Sequence, residues 1–133
     1  MGSSKSNRCF IRKRELVDTP EERVRQALLH KMVGELGFPK GLLSVERGIG
    51  GRRTDIVCYT KEMAPLLLVE CKAGPLHAGA LQQALGYNET VGAPFLCLAN
   101  GEEVHTYWFE GTKRVSIPFL PCFKDLYAVF QRR

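Results

Sequence analysis

Two apolar runs that carry charge at their ends constrain the fold of this chain most strongly. They are TDIVCY, residues 54–59, and LLLVECK, residues 66–72. Both have the length and composition of buried strands, and TKEMA lies between them as a short connection. Asp55 stands near the start of the first run, while Glu70 and Lys72 stand at the end of the second. Charge is unexpected in core strands, so these three residues are candidates for a function.

The length and composition are those of a single globular domain. At 133 residues, the chain is long enough to bury roughly two thirds of its unfolded surface in one core. The net charge of +5 favours a polyanionic partner. The five cysteines have neither C-x-x-C nor metal-finger spacing, which indicates a reduced, cytoplasmic protein. No segment resembles a transmembrane helix or a signal peptide, so no membrane association is expected.

Clear helix signals follow a polar, basic N-terminal arm. Thr19 is a suitable N-cap, Pro20 suits the first helical position, and Glu22 completes a T-x-x-E capping box. Apolar residues then recur at helical spacing, and Gly37 with Pro39 predicts the end of the helix.

The remaining elements are predicted from apolar runs and turn residues. Strands are expected within residues 41–51, 52–59, 65–72, 93–100 and 102–111, and a helix within 74–92. A short edge strand within 114–120 and a terminal helix or tail over 123–133 complete the chain. The order α-β-β-β-α-β-β predicts an α/β (α+β) fold, a central mixed sheet flanked by helices.

The charged strand ends can form one site. Residues two apart in a strand point to the same side, so Glu70 and Lys72 face together and the Cys71 side chain faces away. If the two strands pair, Asp55 reaches the face of Glu70. Two such carboxylates repel each other, and Mg²⁺, which takes oxygen ligands, relieves that repulsion. A nearby lysine can orient a water molecule or neutralise charge on a phosphate.

A structural explanation accounts for the same residues. Asp55 could cap a turn, while Glu70 and Lys72 could form a strand-end salt bridge. The order of the surrounding elements favours the functional interpretation.

Several ordered motifs resemble the PD-(D/E)XK nuclease superfamily, whose core is αβββαβ, with TD in place of PD here. Within it, three segments look like the N-terminal nuclease domain of type I restriction enzyme R subunits. They are TPEERVRQALLHKMVGELGFPKGLLSVE, then RRTDIVCY with LLLVECKA, and LQQALGYN, which contains a RecB-like Q-x-x-x-Y motif. LANG, residues 98–101, resembles the Asn-Gly that closes the family's next strand. The resemblance covers roughly residues 10–110.

The resemblance implies a role for each matching residue. Asp55 and Glu70 would be metal ligands together with the backbone carbonyl of Cys71, and Lys72 would be the catalytic lysine. Gln83 and Tyr87 would lie beside the metal site or the DNA backbone; otherwise they are a polar residue and a half-buried core tyrosine.

Further side chains are candidates with weaker support. Nucleases of this kind often place an acid from the first helix in the site, which points to Glu22, or to its neighbour Glu21. Glu22 also fits a simple capping role. Arg52 and Arg53 flank a glycine turn and are candidates for contacts with DNA phosphates, or solvated surface residues.

The overall expectation is a restriction-endonuclease-like, Mg²⁺-dependent DNA nuclease, with Mn²⁺ able to substitute. The domain organisation is a basic arm over residues 1–17, a nuclease-like core over 18–110, and a strand/helix extension of the same domain over 111–133. No helicase motor is expected in this polypeptide. The expected partners are DNA, other restriction-modification subunits or a second copy of the chain. The alternative is a non-cleaving DNA-binding or assembly module on the same fold.

Overall fold

The computed structural model describes residues 6–8, 15–17, 19–47 and 54–132. The strands are β1 Ser6–Arg8, β2 Glu15–Val17, β3 Leu43–Arg47, β4 Thr54–Tyr59, β5 Pro65–Cys71, β6 Phe95–Ala99, β7 Val104–Glu110 and β8 Lys113–Ile117. The helices are α1 Pro20–Gly34, α2 Ala78–Val91 and α3 Phe123–Gln131, with a 3₁₀ turn over Lys40–Leu42. Within the predicted N-terminal arm, β1 and β2 form a separate two-stranded antiparallel sheet.

The main sheet has six strands in the order β3-β4-β5-β6-β7-β8. Every neighbouring pair is antiparallel except β5 and β6, which are parallel. The parallel pair requires a crossover, and α2 supplies it. The open, mixed sheet with its helices confirms the predicted α+β class.

The start of α1 follows from its sequence. Thr19 Oγ1 accepts a hydrogen bond from the Glu22 amide at 3.1 Å, and Pro20 occupies the first turn. This confirms the predicted N-cap. After the helix ends, Gly37 adopts a φ of +71°, a left-handed conformation that favours glycine.

α2 lies within the predicted range 74–92, but the first residues of that range are not helical. The helix begins at Ala78, and residues 74–77 form a loop before it. His77 is the N-cap, because its Nδ1 accepts a hydrogen bond from the Ala80 amide at 3.2 Å. At the other end, Gly92 is left-handed with a φ of +78°.

The helices divide between the two faces of the sheet. The larger core cluster joins α1 and α3 to one face and includes Leu29, Met32, Ile56, Val69 and Leu126. The smaller cluster joins α2 to the other face and includes Val57, Leu68, Leu81, Ala84 and Leu98. These opposing clusters identify β4, β5 and β6 as the covered centre of the sheet.

The C-terminal segment is part of the same packed unit. The predicted edge strand is confirmed as β8, and the terminal segment forms α3. Phe123 donates its amide to the Leu36 carbonyl at 2.9 Å and packs its ring edge-on against Phe38. None of the described helices combines the length and hydropathy needed to cross a membrane.

Candidate active site

Asp55 and Glu70 are direct neighbours across the antiparallel ladder of β4 and β5. The same register pairs Val57 with Leu68, and both belong to the cluster beneath α2. Since side chains alternate along a strand, Asp55 and Glu70 also lie on the α2 face. Both residues are 0% exposed. The predicted strand pairing is therefore confirmed, and it brings the two carboxylates together.

Lys72 supplies the positive charge beside them. Its Nζ lies 3.1 Å from Glu70 Oε2, and its side chain is 26% exposed. The Lys72 amide donates to the Ala99 carbonyl at 2.8 Å, which extends the pairing with β6 one residue beyond the end of β5. The lysine therefore connects a fully buried carboxylate with solvent.

Cys71 places its side chain on the opposite face of the sheet, in the cluster that α1 covers. Burial raises the pKa of this thiol, and the nearby Cys97 raises it further. The charge of Arg25 acts against that shift, while Asp55 and Glu22 reinforce it. Charges from both sides of the sheet therefore act on Cys71, and the pKa of its thiol lies above the ordinary value.

Glu22 lies in a buried polar cluster on α1. Its Oε2 accepts hydrogen bonds from Arg25 Nη2 and, at 3.0 Å, from Gln26 Nε2. Glu22 is 5% exposed and Arg25 only 1%. α1 packs on the face opposite to Asp55 and Glu70, while Glu22 and Asp55 both act electrostatically on the Cys71 thiol between them. The role of Glu22 as the first-helix acid stays a prediction, as does that of partly buried Glu21.

The Q-x-x-x-Y pair lies on α2, the helix that covers the carboxylate face. Gln83 is exposed, whereas Tyr87 is half-buried and packs against the smaller cluster. Their roles beside the metal or the DNA stay predictions. Arg52 and Arg53, the candidates for DNA contact, lie outside the described residues.

Asn100 is a residue whose contribution the sequence alone did not reveal. Its Nδ2 donates to the Gly74 carbonyl at 3.0 Å, across a separation of 26 residues. Its Oδ1 accepts from the amides of Glu102 at 2.8 Å and Glu103 at 2.6 Å. The resemblance of LANG to the family's Asn-Gly placed Asn100 at the end of a strand, but nothing local predicted its contact with the loop after Lys72.

The donor chemistry of the pair suits a hard cation. Asp55 and Glu70 offer carboxylate oxygens, which Mg²⁺ prefers over nitrogen or sulfur ligands. Within residues 6–8, 15–17, 19–47 and 54–132, no group of three His, Cys, Asp or Glu side chains is arranged to hold a metal ion. A magnesium site needs no such group, because Mg²⁺ is usually bound through one or two carboxylates and completes its shell with water and phosphate oxygens.

Comparison with known proteins identifies the family. The family described as "Type I restriction enzyme R protein N terminus" matches residues 20–121, from the start of α1 to just before α3. The matched range includes Asp55, Glu70, Lys72 and Asn100. Neither a search of curated proteins nor a search of solved structures gives a match. The family is part of a restriction enzyme, which indicates a nuclease role. The chain belongs to the family of type I restriction enzyme R protein N termini.

Proposed function

We propose that this protein is a Mg²⁺-dependent DNA nuclease that hydrolyses phosphodiester bonds. The observation that carries the proposal is the pairing of Asp55 with Glu70 in adjacent strands, with Lys72 Nζ 3.1 Å from Glu70. Membership of the type I restriction enzyme family supports the same chemistry.

Each group has a part in the proposed reaction. Asp55 and Glu70 would hold the metal, together with the backbone carbonyl of Cys71, the residue between Glu70 and Lys72. The bound ion supplies Lewis-acid polarisation of the phosphate and lowers the pKa of a water molecule. The Lys72 ammonium neutralises negative charge as it develops on the phosphate oxygens. Lys72 also contacts Glu70, and this contact restrains the carboxylate.

The proposed partner is DNA, with further restriction-modification subunits or a second copy of the chain as assembly partners. Gln83 and Tyr87 on α2 are the proposed contacts beside the metal or the DNA backbone. Arg52 and Arg53 are proposed to contact phosphates.

A non-cleaving DNA-binding or assembly module is the second candidate. The contact between Lys72 and Glu70 favours it, because an ammonium compensates one buried carboxylate without any metal. Under this alternative the charged cluster is structural, and Mg²⁺ has no effect on the protein.

The deciding experiment is cleavage of plasmid and linear DNA in the presence of Mg²⁺ or Mn²⁺. The test variants are Asp55→Ala and Lys72→Ala. Matched controls are Asp125→Ala and Lys113→Ala, which remove the same charges at exposed positions on α3 and β8. We expect cleavage by the wild type and by both controls, and its loss in both test variants.

Metal binding separates the two candidate functions. A wild-type protein that binds DNA but neither binds Mg²⁺ in calorimetry nor cuts DNA is the non-cleaving module. Cleavage that persists in purified Asp55→Ala protein contradicts the proposed site.

A further inference from the structure

The Asn100 side chain joins two loops at the end of the sheet that carries Lys72. On one side, its Nδ2 donates to the Gly74 carbonyl at 3.0 Å. On the other side, its Oδ1 accepts from the amides of Glu102 and Glu103, at 2.8 and 2.6 Å. One amide group therefore uses its donor for the loop after β5 and its acceptor for the turn after β6.

The bridged loop is the one that carries Lys72. Gly74 is two residues beyond Lys72 and is exposed, so few packing contacts hold it. A second bond ties the same loop to β6, from the Lys72 amide to the carbonyl of Ala99, the residue before Asn100. The position of Lys72 is therefore fixed by consecutive residues of β6 and its turn.

We propose that Asn100 is a positioning residue that holds the loop of Lys72 so that the ammonium stays over Glu70. The proposal rests on the proposed nuclease function, in which Lys72 acts on the phosphate. Asn100 does not touch the reacting atoms in this proposal; it acts through Gly74 and Lys72.

The chemistry of the amide allows the two connections to be separated. In Asn100→Asp, a carboxylate oxygen still accepts from Glu102 and Glu103, but no donor remains for the Gly74 carbonyl. Asn100→Ala removes both connections. The first variant therefore tests the loop of Lys72 while keeping the turn.

Asn88 provides a matched control at the opposite end of the sheet. Its Nδ2 donates to the Ala93 carbonyl at 2.8 Å, and its Oδ1 accepts from the Ala93 amide at 3.0 Å. Asn88→Asp thus loses one donor of the same kind, at a position remote from Lys72.

Amide hydrogen exchange of the metal-free protein is the first measurement, because it does not depend on catalysis. In Asn100→Asp we expect the Lys72 amide to exchange about tenfold faster, as the loss of one hydrogen bond allows. The amides of Glu102 and Glu103 keep their wild-type protection in this variant. They lose that protection in Asn100→Ala. Asn88→Asp leaves the exchange rates of the Lys72, Glu102 and Glu103 amides unchanged.

Cleavage kinetics are the second measurement. In Asn100→Asp we expect kcat to fall about tenfold while KM for DNA stays within about twofold of the wild-type value. A misplaced lysine stabilises the transition state less but changes substrate binding little. Asn88→Asp keeps the wild-type kcat. Unchanged exchange at Lys72, or faster exchange with an unchanged kcat, overturns the positioning role.

The result that would contradict the nuclease proposal differs from the result that would contradict the role of Asn100. A wild-type protein that cleaves no DNA overturns the proposed function and, with it, the catalytic purpose of the bridge. An active wild type with an unaffected Asn100→Asp variant overturns only the role of Asn100.

Discussion

Lys72 Nζ lies 3.1 Å from Glu70 Oε2, and the two side chains differ sharply in exposure, at 26% and 0%. The lysine therefore compensates a charge that water cannot reach. We expect Lys72→Met to lower the free energy of unfolding by about 1–3 kcal/mol, because a buried acceptor loses a charged partner. Urea unfolding measures this change.

The double variant Lys72→Met/Glu70→Gln tests whether the unpaired Glu70 charge causes the loss of stability in Lys72→Met. Removing the Glu70 charge should recover most of the stability lost in Lys72→Met, since the two residues interact directly. Lys113→Met, on exposed β8, should stay within about 0.5 kcal/mol of the wild type. Additive effects of the two substitutions would show that the ion pair does not contribute to stability.

Asp55 is expected to favour function at the expense of stability. Asp55→Asn removes one of two buried, adjacent carboxylates and should raise the stability of the metal-free protein by roughly 1 kcal/mol. Saturating Mg²⁺ should stabilise the wild type, by about 2.7 kcal/mol at a hundredfold excess over its Kd. The same Mg²⁺ should leave Asp55→Asn unchanged in thermal unfolding. An equal response to Mg²⁺ in both proteins would place the metal elsewhere.

The Glu22–Arg25 pair is expected to be a strong local determinant of stability. Both residues are buried, so Glu22→Ala leaves the Arg25 charge without its main counter-charge and should cost about 3–5 kcal/mol. Replacing both, as Glu22→Leu/Arg25→Met, should restore much of that loss. Glu21→Ala is the neighbouring control and should have little effect. Chemical denaturation of the four proteins distinguishes a buried ion pair from a solvated one.

His77 and Gly79 should be energetically coupled. A Cβ at Gly79 would lie 3.0 Å from His77 Cε1 and from Nδ1, the atom that caps α2. In the wild type, Gly79→Ala gains helix propensity of about 1 kcal/mol but displaces the cap, which costs a similar amount. We expect little net change there and a gain of about 1 kcal/mol in a His77→Ala background. A double-mutant cycle by thermal unfolding measures the coupling, and equal effects in both backgrounds would disprove it.

Cys97 should make the protein sensitive to alkaline pH. Burial raises the pKa of its thiol from 9.0 to about 12, and a hydrogen bond with the Thr106 side chain acts in the opposite direction. The folded state therefore favours the neutral thiol. The contribution of this thiol to the stability of the fold is complete below pH 9 and is lost as the pH rises towards 12. Over that range the free energy of unfolding should fall by up to about 1.4 kcal/mol per pH unit from this group.

Cys97→Ala tests the origin of that slope. Its baseline stability should be lower, but its loss of stability above pH 9 should be shallower than that of the wild type. Cys122→Ala, at the partly exposed start of α3, should keep the wild-type slope. Parallel pH profiles for all three proteins would show that the Cys97 thiol does not titrate differently on unfolding.

Much of the fold was determined locally by the sequence. Thr19 and Pro20 specify the start of α1 because an N-cap and a fixed φ act within one turn. The apolar runs at 54–59 and 66–72 specify adjacent strands because only a short connection joins them. Their register then brings Asp55 and Glu70 together. The pairing of Asp55 with Glu70 could therefore be predicted from the sequence.

Other features depended on contacts between distant segments. The packing of α1 against the sheet buries Arg25 beside Glu22. The sequence placed Asn100 at the end of a strand, and only the parallel pairing of β5 with β6 brings it to Gly74. Periodicity and capping act over a few residues, so the sequence by itself determined the elements and the paired carboxylates. Desolvation and long-range hydrogen bonds arise only where distant segments meet, so the tertiary structure decided that Arg25 is buried beside Glu22 and that Asn100 joins two loops.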